Sequence, residues 1–239
     1  VDVRHAEEVE ALGAAVQARF GVPHLVFNNA GVGAGGLVWE HSAKDWQWVM
    51  DVNVMGVAHG VRVFTPMMLA AEKADPDYRG HVVNTASMAG LVNMPMMGAY
   101  NVSKHAVVAL SETLHQDLRL VSERVHAHVL CPYFVPTGIS HSERARPSDV
   151  REDAGPTASQ RLAQANVERA VASGKVTAAE VVRTMFDALA GRRFYIYSHP
   201  QALAPVMARA EDIVQARNPA DPYAARPELG AQLRAALRA

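Results

Sequence analysis

Residues 98–122, GAYNVSKHAVVALSETLHQDLRLVS, predict one long helix, with Val107, Leu110, Leu114 and Leu118 at helical spacing as its core stripe. Directly beyond it Val125 to Cys131, VHAHVLC, reads as a strand stopped by Pro132. A helix feeding straight into a short apolar strand is the repeating unit of a parallel sheet covered by helices. The same alternation extends both ways. Upstream lie a helix at Glu7 to Phe20 closed by Gly21, a strand at His24 to Phe27, and a strand from His81 to about Ala86. Between those strands, Ser42 and Asp45 have capping-box spacing and open a helix running to about Ala71. Downstream, Thr177 and Glu180 open a helix to about Ala190, Phe194 to Tyr197 is a last strand, and a helix from about Gln201 to Ala216 leads into a Pro-containing tail. Gly138 to Lys175 is polar and weakly patterned, and reads as an excursion over the sheet.

The 239 residues suffice for one α/β domain, with no repeat and no linker. Hydrophobic residues make up 49% and charged residues 20%, a globular composition. A formal net charge of −1 supplies no basic field for nucleic acid or an anionic membrane, so a small-molecule substrate is expected. The single cysteine, Cys131, excludes an internal disulfide and suits a reducing cytoplasm. The most apolar run, Val49 to Ala71, is broken by Asp51, Asn53, His59, Arg62 and Pro66, and no membrane helix is expected. The chain opens on Val1-Asp2-Val3-Arg4, without signal-peptide character.

Polar and glycine residues recur where strands end, the edge at which doubly wound sheets bind ligands. Asn28-Asn29-Ala30-Gly31 follows one strand, Thr85-Ala86-Ser87 ends the next, and Pro132 to Thr137 follows the third. Tyr100 and Lys104 lie one helical turn apart, so both face the same side. An ammonium beside a phenol favours the phenolate and makes a poor base a usable one. Asn53 falls on the apolar stripe Trp46, Val49, Met50, Val57, Val61 and Phe64 of its helix, where an amide needs partners.

Together these residues resemble the short-chain dehydrogenase/reductase family, closely over residues 1 to 137 and more loosely to the last strand. The matching pieces are Asp2-Val3, Asn28 to Gly31, Asn53, Ser87, Tyr100 to Lys104 and Pro132 to Thr137. The resemblance implies a Rossmann-like doubly wound parallel sheet lacking its first strand–helix units, in one domain over 1–239, with a substrate lid at 138–175 and a C-terminal helix and tail at 200–239. It implies an oxidoreductase that interconverts a secondary alcohol and a ketone with NAD or NADP. Asp2 and Val3 would contact adenine, and Asn29, Ala30 and Gly31 would line the adenosine side. Ser87 would bind the substrate oxygen, Tyr100 would exchange its proton, and Lys104 would hold the nicotinamide ribose and lower the Tyr100 pKa. Asn53 would steady a relay water, and Pro132, Val135 and Thr137 would fix the nicotinamide. Homodimers or homotetramers through the two long helices are implied as well.

Two departures stand out. Tyr133 follows Pro132 where the family usually has glycine, and the family's glycine-rich phosphate loop would lie upstream of Asp2. Gly31-Val32-Gly33-Ala34-Gly35-Gly36 fits G-x-G-x-x-G literally, yet Leu37 to His41 separate it from the next helix, so it reads as a tight loop beside the cofactor. His126 and His128 share a strand face without a third ligand at metal spacing, and no metal is expected. Met94, Met96 and Met97 read as core or as an adaptable substrate border. Two other readings stay open: a sugar-nucleotide epimerase or dehydratase, and a non-catalytic binding or scaffold protein.

Overall fold

The computed structural model describes residues 1–151 and 154–238. Four strands, β1 (Leu25–Asn28), β2 (Gly80–Thr85), β3 (Val125–Cys131) and β4 (Tyr195–Tyr197), form one parallel sheet in the order β1-β2-β3-β4. The sheet is doubly wound. Its first face buries Val82, Val125, Ala127 and Val129 against α1 (Ala6–Phe20), α3 (Gly56–Ala74) and α4 (Gly98–Val121), through Val9, Phe64, Met68, Val107 and Leu118. The opposite face buries Val83, Leu130 and Ile196 against Val181, Met185, Ala188 and Leu189 of α6 (Ala178–Ala190). Strand order steps one way throughout, so the change of face means that the α6 crossover has the opposite hand to those through α3 and α4.

The helix expected from Ser42 to about Ala71 is three pieces. Its capping box forms, with Ser42 and Asp45 each bonding the other's backbone, and opens α2 (Ala43–Met50). A π-turn at Asp51–Met55 then interrupts it before α3 begins at Gly56 and runs to Ala74. The wider turn rotates α3 relative to α2, and Asn53 sits inside it; π-bulges of this kind are frequent at functional sites. Within Ala43–Ala74 one 18-residue window reaches a mean hydropathy of 1.3, which by length and composition alone would suffice to cross a membrane. In this fold Trp48, Val49, Phe64 and Met68 of that run are core residues.

Two further segments depart from expectation. The excursion after β3 holds α5 (Ala158–Ala172), opened by a third capping box in which Thr157 and Gln160 bond each other's backbones. Its apolar stripe is only Ala163 and Val171, too small for periodicity to reveal. The Pro-containing tail carries α8 (Pro227–Arg238), where Pro227 takes the first-turn position that tolerates proline, after α7 (Ala204–Val214).

At the amino end of the sheet, three imidazoles share the α6 face. His81 Nδ1 lies 2.9 Å from His128 Nε2, His128 Nδ1 lies 2.7 Å from the Arg193 carbonyl, and the His126 ring is 5.4 Å from that of His81. Among the described residues no group of three or more His, Cys, Asp or Glu has the arrangement of a metal site. Burial instead lowers both His81 and His128 from 6.5 to about 4, with the neighbouring histidines adding to the shift. An unfolded chain takes up those protons near pH 6.5, whereas the folded one refuses them until about pH 4. Stability is therefore lost as pH falls through that window. Thermal melts from pH 7 to pH 4.5 should show this slope flattening in a His81→Phe/His128→Leu double variant; an unchanged slope would assign the acid sensitivity elsewhere.

Candidate active site

A cavity of about 560 Å³ opens at the carboxyl ends of β1, β2 and β3. Asn29, Gly31, Ser87, Tyr100, Lys104, Pro132, Val135 and Thr137 all line it. Four other expected site residues, Asp2, Val3, Ala30 and Asn53, are not on its wall. The Asp2 carboxylate is held by the Arg4 guanidinium at 2.9 Å, and Val3 lies against α3, where a Cβ on Gly56 would stand 2.7 Å from its methyl.

Asn53 organises the site from behind. Its Oδ1 accepts from the Val32 N–H at 2.8 Å, while its Nδ2 donates to the Val32 carbonyl at 2.9 Å and to Ser103 Oγ at 3.0 Å. Ser103 in turn donates to the Tyr100 carbonyl at 2.8 Å. The amide thus ties the loop after β1 to the π-turn and to the first turns of α4. Ser103 and Val32 carry no signal of their own in the sequence; an unsatisfied amide on the stripe was the clue that buried partners existed.

Tyr100 and Lys104 project from α4 as their spacing requires. The Lys104 side chain is buried, its Nζ lies 5.7 Å from the centre of the Tyr100 ring, and it donates to the Thr85 carbonyl at 2.9 Å. Ser87 caps a short 3₁₀ turn by accepting from the Ala89 N–H at 3.1 Å, and its hydroxyl faces the phenol. The charge balance differs from the one the family resemblance implies. Burial raises the Tyr100 pKa, with only the Ser87 hydroxyl opposing, and lowers Lys104 to about 8. Desolvation penalises both charged forms, so protein surroundings alone favour a neutral phenol. Cys131, beneath them, is a buried thiol pushed up to about 12.

The glycine run 31–36 is no phosphate cradle. A Cβ on Gly35 would stand 2.7 Å from that of Ala163, and one on Gly36 (φ +136°) would stand 2.7 Å from the Gln160 side chain. Gly35 and Gly36 let α5 lie directly on the loop, which periodicity could not foretell. Ser159 accepts from the Leu37 N–H at 2.9 Å, Ser142 accepts from the Gly33 N–H at 2.9 Å, and Ser159 donates to the Glu40 carboxylate at 2.7 Å. The cavity's remaining wall is largely apolar, with Val92, Met94, Met97, Phe134 and Val167. Tyr133, in place of the family's glycine, lies tilted against Phe134 with ring centres 4.5 Å apart and keeps its backbone N–H on Ser198 at 2.9 Å.

A parallel, doubly wound sheet with a Ser–Tyr–Lys constellation at its carboxyl edge defines a Rossmann-like α/β protein with an active-site-like cleft. The family model for short chain dehydrogenase matches residues 1–148. A CLA biosynthesis dehydrogenase/reductase of Lactiplantibacillus plantarum is 33% identical over 199 residues, which cover 82% of this chain and 68% of that protein. A short chain dehydrogenase/reductase of Burkholderia phymatum, solved in complex with NAD, superposes with a TM-score of 0.90 at 55% identity, over 93% of this chain and 77% of that one. A short-chain dehydrogenase of Streptomyces avermitilis, 22% identical over 90% of this chain and 75% of that one, shares the fold with a TM-score of 0.68. The chain belongs to the short-chain dehydrogenase family, and its homologues are oxidoreductases.

Replacing Asn53 by Ala strands the Val32 N–H and carbonyl in the interior, each costing about 1–3 kcal/mol if left unpaired. Urea denaturation should show a loss of at least that size, and an unchanged midpoint would remove Asn53 from its organising role.

Proposed function

We propose that this protein interconverts a secondary alcohol and a ketone, with NAD or NADP as the hydride carrier and Tyr100 as the proton-transfer residue. The observation that carries this reading is the convergence of Ser87, Tyr100 and Lys104 on one cavity at the carboxyl edge of the sheet. The residues present fit the nicotinamide half of such a cofactor. Lys104 Nζ spends one proton on Thr85 and has two more donors beside Gly31, where a Cβ would come within 3.4 Å of it. Asn29, Thr85 and Thr137 add an amide and two hydroxyls to the same wall. Lys104 and Thr137 would hold the ribose and carboxamide side, and Val135 and Pro132 would back the ring. When bound, the cofactor supplies or accepts the hydride. NAD is favoured by its presence in the Burkholderia phymatum structure, which is 55% identical.

The chain's own residues do the proton work. Ser87 donates a hydrogen bond to the substrate oxygen and holds it beside the phenol. Tyr100, kept neutral by burial, gives its proton to that oxygen during ketone reduction, so the reductive direction starts from the form the protein prefers. Alcohol oxidation needs the phenolate, which a cationic ring and the Lys104 ammonium would stabilise. The apolar wall suits a ketone with an apolar body.

Exposed Met55 and Val102, on or next to the two long helices, support pairing of α3 and α4 into a homodimer or homotetramer. The lone cysteine, Cys131, is buried and unpaired, which supports a cytoplasmic setting.

Tyr100→Phe should lower turnover of small ketones by about 10²–10⁴-fold, the usual worth of a positioned proton donor. NADH binding, followed by its fluorescence, should survive; unchanged turnover would take Tyr100 out of the mechanism. A second test uses the suppressed charge on Lys104. Reduction should decline as pH rises past about 8, where this ammonium loses its proton. Lys104→Arg, whose cation persists, should be slower but level across that range, and a parallel decline in both would place the titration elsewhere.

A further inference from the structure

We propose that Arg144 is an anion anchor of the active-site cavity. It would meet an oxyanion of the bound molecules, either a phosphate of the dinucleotide or a carboxylate of the substrate. The inference deepens the proposed function and rests on it.

It starts from a glycine with no conformational reason to be one. Gly138 is absent from the backbone positions with positive φ, so an L residue could adopt its conformation. What a side chain there would meet is the guanidinium of Arg144, the movable end of a long side chain. A Cβ on Gly138 would stand 2.5 Å from Arg144 Nη2, 2.9 Å from Nη1 and 3.0 Å from Cζ. The guanidinium is therefore laid over the turn that follows Thr137, and Thr137, Gly138 and Arg144 line the same cavity as Tyr100.

Among the described residues the charge of Arg144 is unspent. Nearby arginines on the same face of the fold are neutralised: Arg146 by Asp45 and Glu143, with its guanidinium 4.6 Å from the Trp48 ring centre, and Arg4 by Asp2 and Asp149. Among the described residues Arg144 enters no ion pair. The cavity wall holds two permanent or titratable cations, Lys104 and Arg144, and no carboxylate among the described residues, although the chain as a whole carries a formal charge of −1. Lys104 donates to Thr85 and, in the proposed function, turns its other donors to the uncharged ribose. Arg144 is the cation left for an oxyanion, and its planar fork suits both phosphate and carboxylate.

The test titrates NADH and ADP-ribose by binding, and measures KM for a medium-chain keto acid and its methyl ester. It compares the native protein with Arg144→Gln, Gly138→Ala and the double variant. Loss of one charge-assisted contact should read as about a tenfold weakening. If the phosphate is the partner, NADH and ADP-ribose both weaken about tenfold and the two KM values stay level. If the carboxylate is the partner, only the keto-acid KM rises. In either case Gly138→Ala should reproduce much of the effect by displacing the guanidinium, and the double variant should add little. Equal binding and equal KM values in native and Arg144→Gln proteins overturn the anchor while leaving the proposed function standing. A native protein that neither binds NADH nor reduces ketones overturns both.

Discussion

The site hangs on a carboxamide buried in the protein interior. Asn53 lies midway along an otherwise apolar helix stripe, and its oxygen and nitrogen must find partners inside the protein or leave polar atoms orphaned. It finds them in Val32 and Ser103, and in doing so fixes the distance between the loop after β1 and the start of α4. The π-turn at Asp51–Met55 is the local distortion that brings the amide to that point. Tyr100 is placed by the same chain of bonds, because its own carbonyl is gripped by Ser103. The position of the phenol is thus inherited from an amide that never touches the cavity.

Burial then sets the chemistry of the residues so placed. Desolvation pulls Lys104 down to about 8 and lifts Tyr100, so the pair is held closer to neutrality than an ammonium–phenolate picture suggests. A neutral phenol is a proton donor in waiting. Any cation brought near it by a ligand would shift the balance, which makes the acidity of Tyr100 a property of the complex rather than of the chain alone.

The segment after β3 lines the same cavity and is tied to the loop after β1 through small residues and hydroxyls. Gly35 and Gly36 make room for α5, while Ser142, Thr157 and Ser159 bond to Gly33, Leu37 and Glu40. Farther along, Arg146 is clamped between Asp45 and the Trp48 ring. Apolar contacts join these polar ties, with Ala163 packed against Met96 in one cluster and Val150 with Trp48 in another.

The residues alone determined the alternation of helix and strand, and with it the sheet and the edge where polar groups gather. Amphipathic stripes such as Val107–Leu118 and capping pairs such as Ser42–Asp45 are local signals, written within a few residues of the structure they specify. The Tyr100–Lys104 pair was legible for the same reason, since helical pitch fixes their common side. Tertiary structure alone decided the rest. The π-turn exists because Asn53 must reach Val32 and Ser103, partners remote in the chain. The role of Gly35 and Gly36 is set by a helix more than a hundred residues on, and α5 itself leaves no periodic signal because its buried stripe is Ala163 and Val171. The direction in which Tyr100 and Lys104 shift depends on how much water the assembled walls exclude, a quantity no short stretch of sequence encodes.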